Sequence, residues 1–260
     1  MKLLCLGDIV GSPGRSIVKE FLSQNREKYD FVIANGENGA GGFGLLPELA
    51  EEILGYGVDL ITMGNHVWDK RELYDYLDRS DRIVRPYNYP KGSPGKGVAK
   101  LIAANGQKIS VINIQGNVFM PPLVSPFLKI EEAMEEAKAF SDSVVVDFHA
   151  ETTSEKIAMG WNLDGVASLV YGTHTHVPTA DERILPKGTG YVTDIGMCGG
   201  YDGVLGMKKD EIIKKFHTSM PSRFSVCKEN VRMSGIEVTL SSGICKEIKR
   251  IAISMASLKS

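Results

Sequence analysis

Short apolar runs, each closed by small and polar residues, recur along this 260-residue chain. Lys2 to Leu6 is followed by Gly7-Asp8, and Phe31 to Ala34 by Asn35-Gly36-Glu37-Asn38. Asp59 to Met63 runs into Gly64-Asn65-His66, and Ser143 to Phe148 into His149-Ala150-Glu151. Val166 to Val170 leads to Tyr171-Gly172-Thr173-His174-Thr175-His176. Continuous runs of this length fit strands buried on both faces. Segments of helical spacing lie between them. Ile17, Val18, Phe21 and Leu22 follow the first run, Pro47 to Leu54 the second and Arg71 to Leu77 the third. Pro47 suits the first turn of its helix. Ile130 to Phe140 and Ser154 to Leu163 complete the set, with Thr153 or Ser154 as the N-cap of the latter. Strands alternating with helices point to an α/β protein.

Other stretches break the alternation. Val98 to Ala103 and Ile109 to Ile114 flank Asn105-Gly106, a strong hairpin signal. Tyr191 to Gly196 reads as one strand with a Gly-rich exit through Cys198-Gly199-Gly200. Asp210 to Phe216 reads as a helix, and Val231 to Leu240 with Ile244 to Ile253 as a closing hairpin. Arg85 to Gly97 and Gln115 to Pro126 are irregular connections. No repeat or low-complexity linker divides the chain, so one domain spanning residues 1–260 is expected.

Composition narrows the chemistry. The net charge of −2 and pI near 6.2 give no basic field for nucleic acid or a membrane surface, so any nucleotide chemistry belongs in a pocket. Cys5, Cys198, Cys227 and Cys245 form no Cys-x-x-Cys pair and read as reduced thiols of a cytoplasmic protein. Leu3 to Leu6 is too short for a signal-peptide core, and no run approaches the roughly 18 apolar residues of a membrane span.

The polar groups concentrate at five strand exits: Asp8; Glu37 and Asn38; Asn65 and His66; His149; His174 and His176. Four of the five histidines fall there, which a random scatter would not produce; only His217 lies outside. Carboxylates, amides and imidazoles without thiolates suit divalent ions such as Mn²⁺, Fe²⁺ or Zn²⁺ rather than a structural zinc. Taken singly the signals are weak. A lone His-x-His is equally a pair of loop histidines, and Asp8 equally a turn aspartate. Gly11-x-x-Gly14 lacks the Lys-Ser/Thr ending of a phosphate cradle. Asp69, Glu151 and Asp194 read as caps or as groups that orient ligands. Arg15 reads as a phosphate clamp or a solvated helix-start arginine. Trp68 and Trp161 read as packing residues before base-stacking ones, and Met63, Met159 and Met197 as core.

Together, Gly7-Asp8, Gly36-Glu37-Asn38, Gly64-Asn65-His66, His149 and Gly172-Thr173-His174-Thr175-His176 resemble the ordered blocks of calcineurin-like metallophosphoesterases. Val10 stands where that superfamily usually has a histidine, and Glu37 where it usually has an aspartate. With Asn-Gly-Glu-Asn, Gly-Asn-His-Val-Trp and Asp-Phe-His-Ala-Glu, these departures resemble the bacterial YmdB-type subfamily, which often carries an Arg where Asn117 stands here. The resemblance implies a four-layer α/β/β/α sandwich of two mixed sheets flanked by helices. It implies two divalent ions, Fe or Mn before Zn. Asp8, Asn38 and His176 would hold the first, Asn65, His149 and His174 the second, and Glu37 both. His66 would be the general acid, and a hydroxide between the ions the nucleophile on a 2',3'-cyclic nucleotide. A homo-oligomer is implied, with no membrane partner. The alternatives are a phosphomonoesterase or nuclease using the same ions, or a regulatory protein that binds metal or RNA.

Overall fold

The structure is a computed structural model that describes residues 1–259. In its first half, β1 (Lys2–Leu6), β2 (Asp8–Ile9), α1 (Gly11–Asn25), β3 (Phe31–Asn35), α2 (Pro47–Gly55), β4 (Leu60–Thr62), α3 (Leu73–Arg79) and β5 (Ile83–Val84) follow in order. The hairpin β6 (Val98–Ile102) and β7 (Lys108–Gln115) precedes α4 (Pro126–Lys138), β8 (Val144–His149), α5 (Thr153–Asn162) and β9 (Leu169–Thr173). Then come β10 (Arg183–Ile184), β11 (Gly190–Val192), β12 (Met197–Gly200) and α6 (Lys209–Thr218). The chain closes with β13 (Val231–Ser241), β14 (Ile244–Ser254) and α7 (Met255–Leu258).

The strands form two mixed sheets. One runs β2-β12-β13-β1-β3-β4-β5, with β14 on β13; the other runs β10-β11-β9-β8-β7-β6. Their facing surfaces bury Leu3, Cys5, Phe31, Ile33 and Leu60 against Ile109, Val111, Val145, Leu169 and Tyr171. The outer face of the first sheet packs Leu4, Val32 and Ile61 on Ile17, Phe21, Ile53 and Leu77 of the helices. The outer face of the second packs Ile112, Val146 and Phe148 on Ile130, Met134 and Met159. Apolar residues on both faces of the central strands therefore produce four layers, α/β/β/α, as the resemblance implied.

Three expectations need correction. Residues 191–196 are not one strand with an exit through 198–200: β11 lies in the second sheet and β12 in the first, so the chain crosses between sheets at residues 193–196. Gly196, at φ 80°, turns it there. Neither Thr153 nor Ser154 caps α5; the N-cap is Thr152, whose side chain makes no capping bond. Arg15 is partly buried rather than a solvated helix-start arginine. Its Nη1 donates to the Gly39 carbonyl at 2.6 Å, bracing the loop that carries Asn38. The four cysteines are buried and free. Among the described residues no helix is long and apolar enough to cross a membrane.

Candidate metal centre

The parallel strands β1, β3 and β4 of one sheet and β7, β8 and β9 of the other all end on the same edge of the sandwich. The first sheet delivers Asp8, Glu37, Asn38, Asn65 and His66 to that edge. The second delivers His149, whose register partner is Thr173, and then His174 and His176. Ligands outside the carboxyl ends of parallel strands are a general property of α/β folds.

Seven of the eight residues come together in two overlapping groups, with His66 beside them. In the first, His149 Nε2 is 3.0 Å from Glu37 Oε1, 3.0 Å from Asn65 Oδ1 and 3.1 Å from His174 Nδ1. One donor atom from each of Glu37, His149 and His174 fits within 4.8 Å of the others, a spacing that could hold a metal ion. In the second, His176 Nε2 and Asp8 Oδ1 are 3.5 Å apart, and the Asn38 amide nitrogen lies 3.2 Å from His176 Nε2 and 3.3 Å from Glu37 Oε1. Glu37 belongs to both groups. Asn38 presents nitrogen, so ligation through its oxygen requires the amide to turn over.

The electrostatics are those of charges packed where a cation belongs. Asp8, Glu37 and His149 are buried. Burial opposes ionisation of Glu37, but His149 outweighs it and lowers the carboxyl pKa. His149 is raised in turn: burial works against its charge, and Glu37 with Asp8 overcomes it. Likewise burial opposes Asp8, yet His176 pulls its carboxyl down to about 2. Burial and the neighbouring charge of His149 push His174 down to about 3, leaving a neutral imidazole with one ring-nitrogen lone pair to offer. Three acceptors thus converge on one protonated nitrogen of His149. A divalent cation satisfies the same lone pairs, so the donor set fits a metal.

Local structure explains the close approach. A Cβ on Gly64 would run into His149 Nε2 and Glu37 Oε2, so only glycine lets these donors meet. Both histidines of the last loop sit in left-handed backbone, His174 at φ 95° and His176 at φ 62°. Such strain persists only where the surroundings enforce it. The Thr175 hydroxyl between them donates to Asp194 Oδ2 at 2.7 Å, and Asp194 Oδ1 accepts from Gly196 N at 2.7 Å. Asp69 accepts from His66 Nδ1 at 2.9 Å, and Glu151 lies 3.0 Å from His174 Nε2. His66 stays outside the donor cluster, with its backbone N–H donating to Glu37 Oε2 and its ring edge-on to Phe43 at 5.0 Å. Val10, standing where the superfamily has histidine, is fully buried against Met197 and Met207 and contributes only packing.

Residues 4–251 match the family described as YmdB-like protein. The chain belongs to the YmdB-like family. A 2',3'-cyclic-nucleotide 2'-phosphodiesterase of Bacillus subtilis (strain 168) is 50% identical over 251 residues, covering 96% of this chain and 95% of its own. A solved structure of a hypothetical protein from Thermus thermophilus is 41% identical at a TM-score of 0.93, covering 98% of this chain and 99% of the other. A phosphatase from Mycoplasma pneumoniae is 35% identical at a TM-score of 0.91, covering 100% of this chain and 96% of its own.

Several supporting residues of this YmdB-like site were not singled out from sequence. Lys156, fully buried on α5, places Nζ 2.6 Å from the same Asp194 oxygen that holds Thr175. Thr173 links His149 Nδ1 at 2.9 Å to Asp147 Oδ1 at 2.7 Å, fixing which ring nitrogen faces Glu37. Burial pushes Asp147 up to about 7. The signal for Lys156 was a cation at helical spacing with Met159 and Gly160, on the face of α5 that meets the sheet. Asn117 stands apart from the donors: its amide bonds Leu123 in both directions, at 2.9 and 3.1 Å, and closes its own loop.

Proposed function

We propose that this protein is a metal-dependent phosphoric diester hydrolase acting on 2',3'-cyclic nucleotides, with two divalent ions, Fe or Mn. The observation that carries the reading is the pair of donor groups sharing Glu37. It joins the 50% identity to a relative bearing that activity in its name. Asn65, His149 and His174 would hold one ion, Asp8, Asn38 and His176 the other, and Glu37 would serve both. When bound, the ions supply charge neutralisation for the phosphoryl group and an activated water as nucleophile.

The chain's own residues do the rest. Lys156 and Asp194 fix the loop bearing His174 and His176, and Asp147 with Thr173 orients His149. His66 is held by Asp69 through Nδ1, which leaves Nε2 for the departing ribose oxygen. It donates a proton there as the P–O2' bond opens, leaving a 3'-phosphate. His66→Ala should lower kcat on 2',3'-cyclic AMP by about 10²–10⁴-fold. A nitrophenyl diester, whose leaving group needs no proton, should lose far less; equal losses on both substrates would remove His66 from that role. Metal-loaded protein that turns over a monoester and RNA but no cyclic diester would overturn the substrate assignment.

Metal uptake carries a pH signature. Burial opposes the charge on His176, but Asp8 raises its pKa to about 9. At pH 7 that proton must leave before Nε2 can act as a ligand. Affinity at this position should therefore rise about tenfold per pH unit between pH 7 and 9, with about one proton released. Calorimetric titration in buffers of different ionisation enthalpy measures both, and affinity that falls with pH would exclude His176.

A further inference from the structure

The donor groups form only one side of a larger cavity of about 310 Å³. Its other side is apolar and comes from Phe43, Leu205, Ile212, Phe216 and Phe224. Phe43 joins the halves, since its ring also meets His66. The roof is α6, none of whose residues is buried. It is anchored from below, where Ile212 and Phe224 pack on Val10, Met197 and Met207. Phe216, in the last turn of α6, lines the cavity yet remains 81% exposed. An aromatic ring held over a cavity and left uncovered is an unpaired stacking surface. Lys215, the one charged side chain of this half, has its Nζ 5.0 Å from the centre of the Phe224 ring. Among the described residues, the apolar half offers no side-chain carboxylate, amide or hydroxyl.

In a nucleoside 2',3'-cyclic phosphate the base lies one ribose ring from the phosphorus. A phosphodiester at the donors therefore places the base across the cavity from them. We propose that the apolar half is a nucleobase subsite in which Phe216 stacks on the base and no carboxylate, amide or hydroxyl reads the base edge. This inference rests on the phosphodiesterase reading and specifies what the substrate carries beyond its phosphate. Stacking tracks ring area, so adenine and guanine bind alike and both bind ahead of cytosine and uracil.

The test compares wild type with Phe216→Ala and Phe216→Tyr in the metal-loaded protein. The substrates are 2',3'-cyclic AMP, 2',3'-cyclic CMP and the cyclic phosphate of methyl riboside, which has no base. Phe216→Ala should raise KM for cyclic AMP about tenfold, within the range of one stacked base, with kcat little changed. KM for the methyl riboside diester should move less than about twofold, and Phe216→Tyr should restore cyclic AMP. Phe216 is exposed, so the variant keeps its fold. Equal effects on the diesters with and without a base, or none on either, overturn the subsite. A binding arm separates this from the activity itself: wild type should bind adenosine 3'-phosphate about tenfold more tightly than methyl riboside 3-phosphate, and Phe216→Ala should erase the difference. Failure of all diester turnover with that difference intact would sink the phosphodiesterase reading and leave the subsite standing. Absence of the difference in wild type sinks the subsite.

Discussion

Glu37→Gln is expected to lower turnover of 2',3'-cyclic AMP on the order of a thousandfold while the protein stays folded. The substitution keeps shape and removes one charge at the point shared by both donor groups. Metal-derived stabilisation of the transition state is worth several kcal/mol, and each 1.36 kcal/mol is about tenfold in rate. The amide also brings N–H groups toward His149 Nε2 and the His66 backbone N–H, which now face carboxylate oxygens. Without the opposing carboxylate, His149 loses the largest of the charges that raise its pKa, which falls. Elemental analysis after gel filtration should show fewer bound ions than wild type. Two ions per chain with wild-type turnover would exclude Glu37 from the centre.

Lys156→Met should lower the melting temperature by about 10 °C and inactivate the enzyme as well. Breaking a buried ion pair costs about 3–5 kcal/mol because a charge is left alone, and in a chain of this size 1 kcal/mol moves Tm by about 2–4 °C. Lys156 touches no substrate. It acts through Asp194, whose oxygen also holds Thr175 between the two strained histidines. A double variant, Lys156→Met with Asp194→Leu, separates the effects. Removing both charges should recover much of the Tm, as apolar replacement of buried pairs often does. Activity and metal content should stay low, because the loop has lost its anchor. Recovery of both together would make the pair purely structural.

The strand exits were legible in sequence because a parallel strand buried on both faces is apolar along its length, and the edge where it stops is where polar groups can be placed. Asp8, Glu37, Asn65, His149 and His174 all follow such runs. The two-residue strands β2, β5 and β10 carry no period and exist only through their neighbours. The crossing at residues 193–196 was hidden because apolar Tyr191-Val192 and Ile195-Met197 read as continuous, although they serve different sheets. Lys156 was missed because a lysine is ordinarily solvated; its partner lies 38 residues away on another element. The aromatic half of the cavity was equally hidden. Phe43 and Phe216 lie far apart in the chain and share a wall only after the segment after β12 folds back over Val10.

That folding back has a consequence for synthesis. β13 pairs with β1 along Lys2 to Leu6, and β12 pairs with β2 at Asp8. During synthesis β1 therefore keeps one flank open until β13, far later in the sequence, has been made. Until then β1 is an exposed apolar edge, the kind of surface that invites pairing with another chain. Asp8 cannot be fixed in place earlier either, because its neighbour Met197 has not yet been made. The hydrolytic centre is thus completed only by the last third of the polypeptide, and a truncated chain carries the donors without the frame that aligns them.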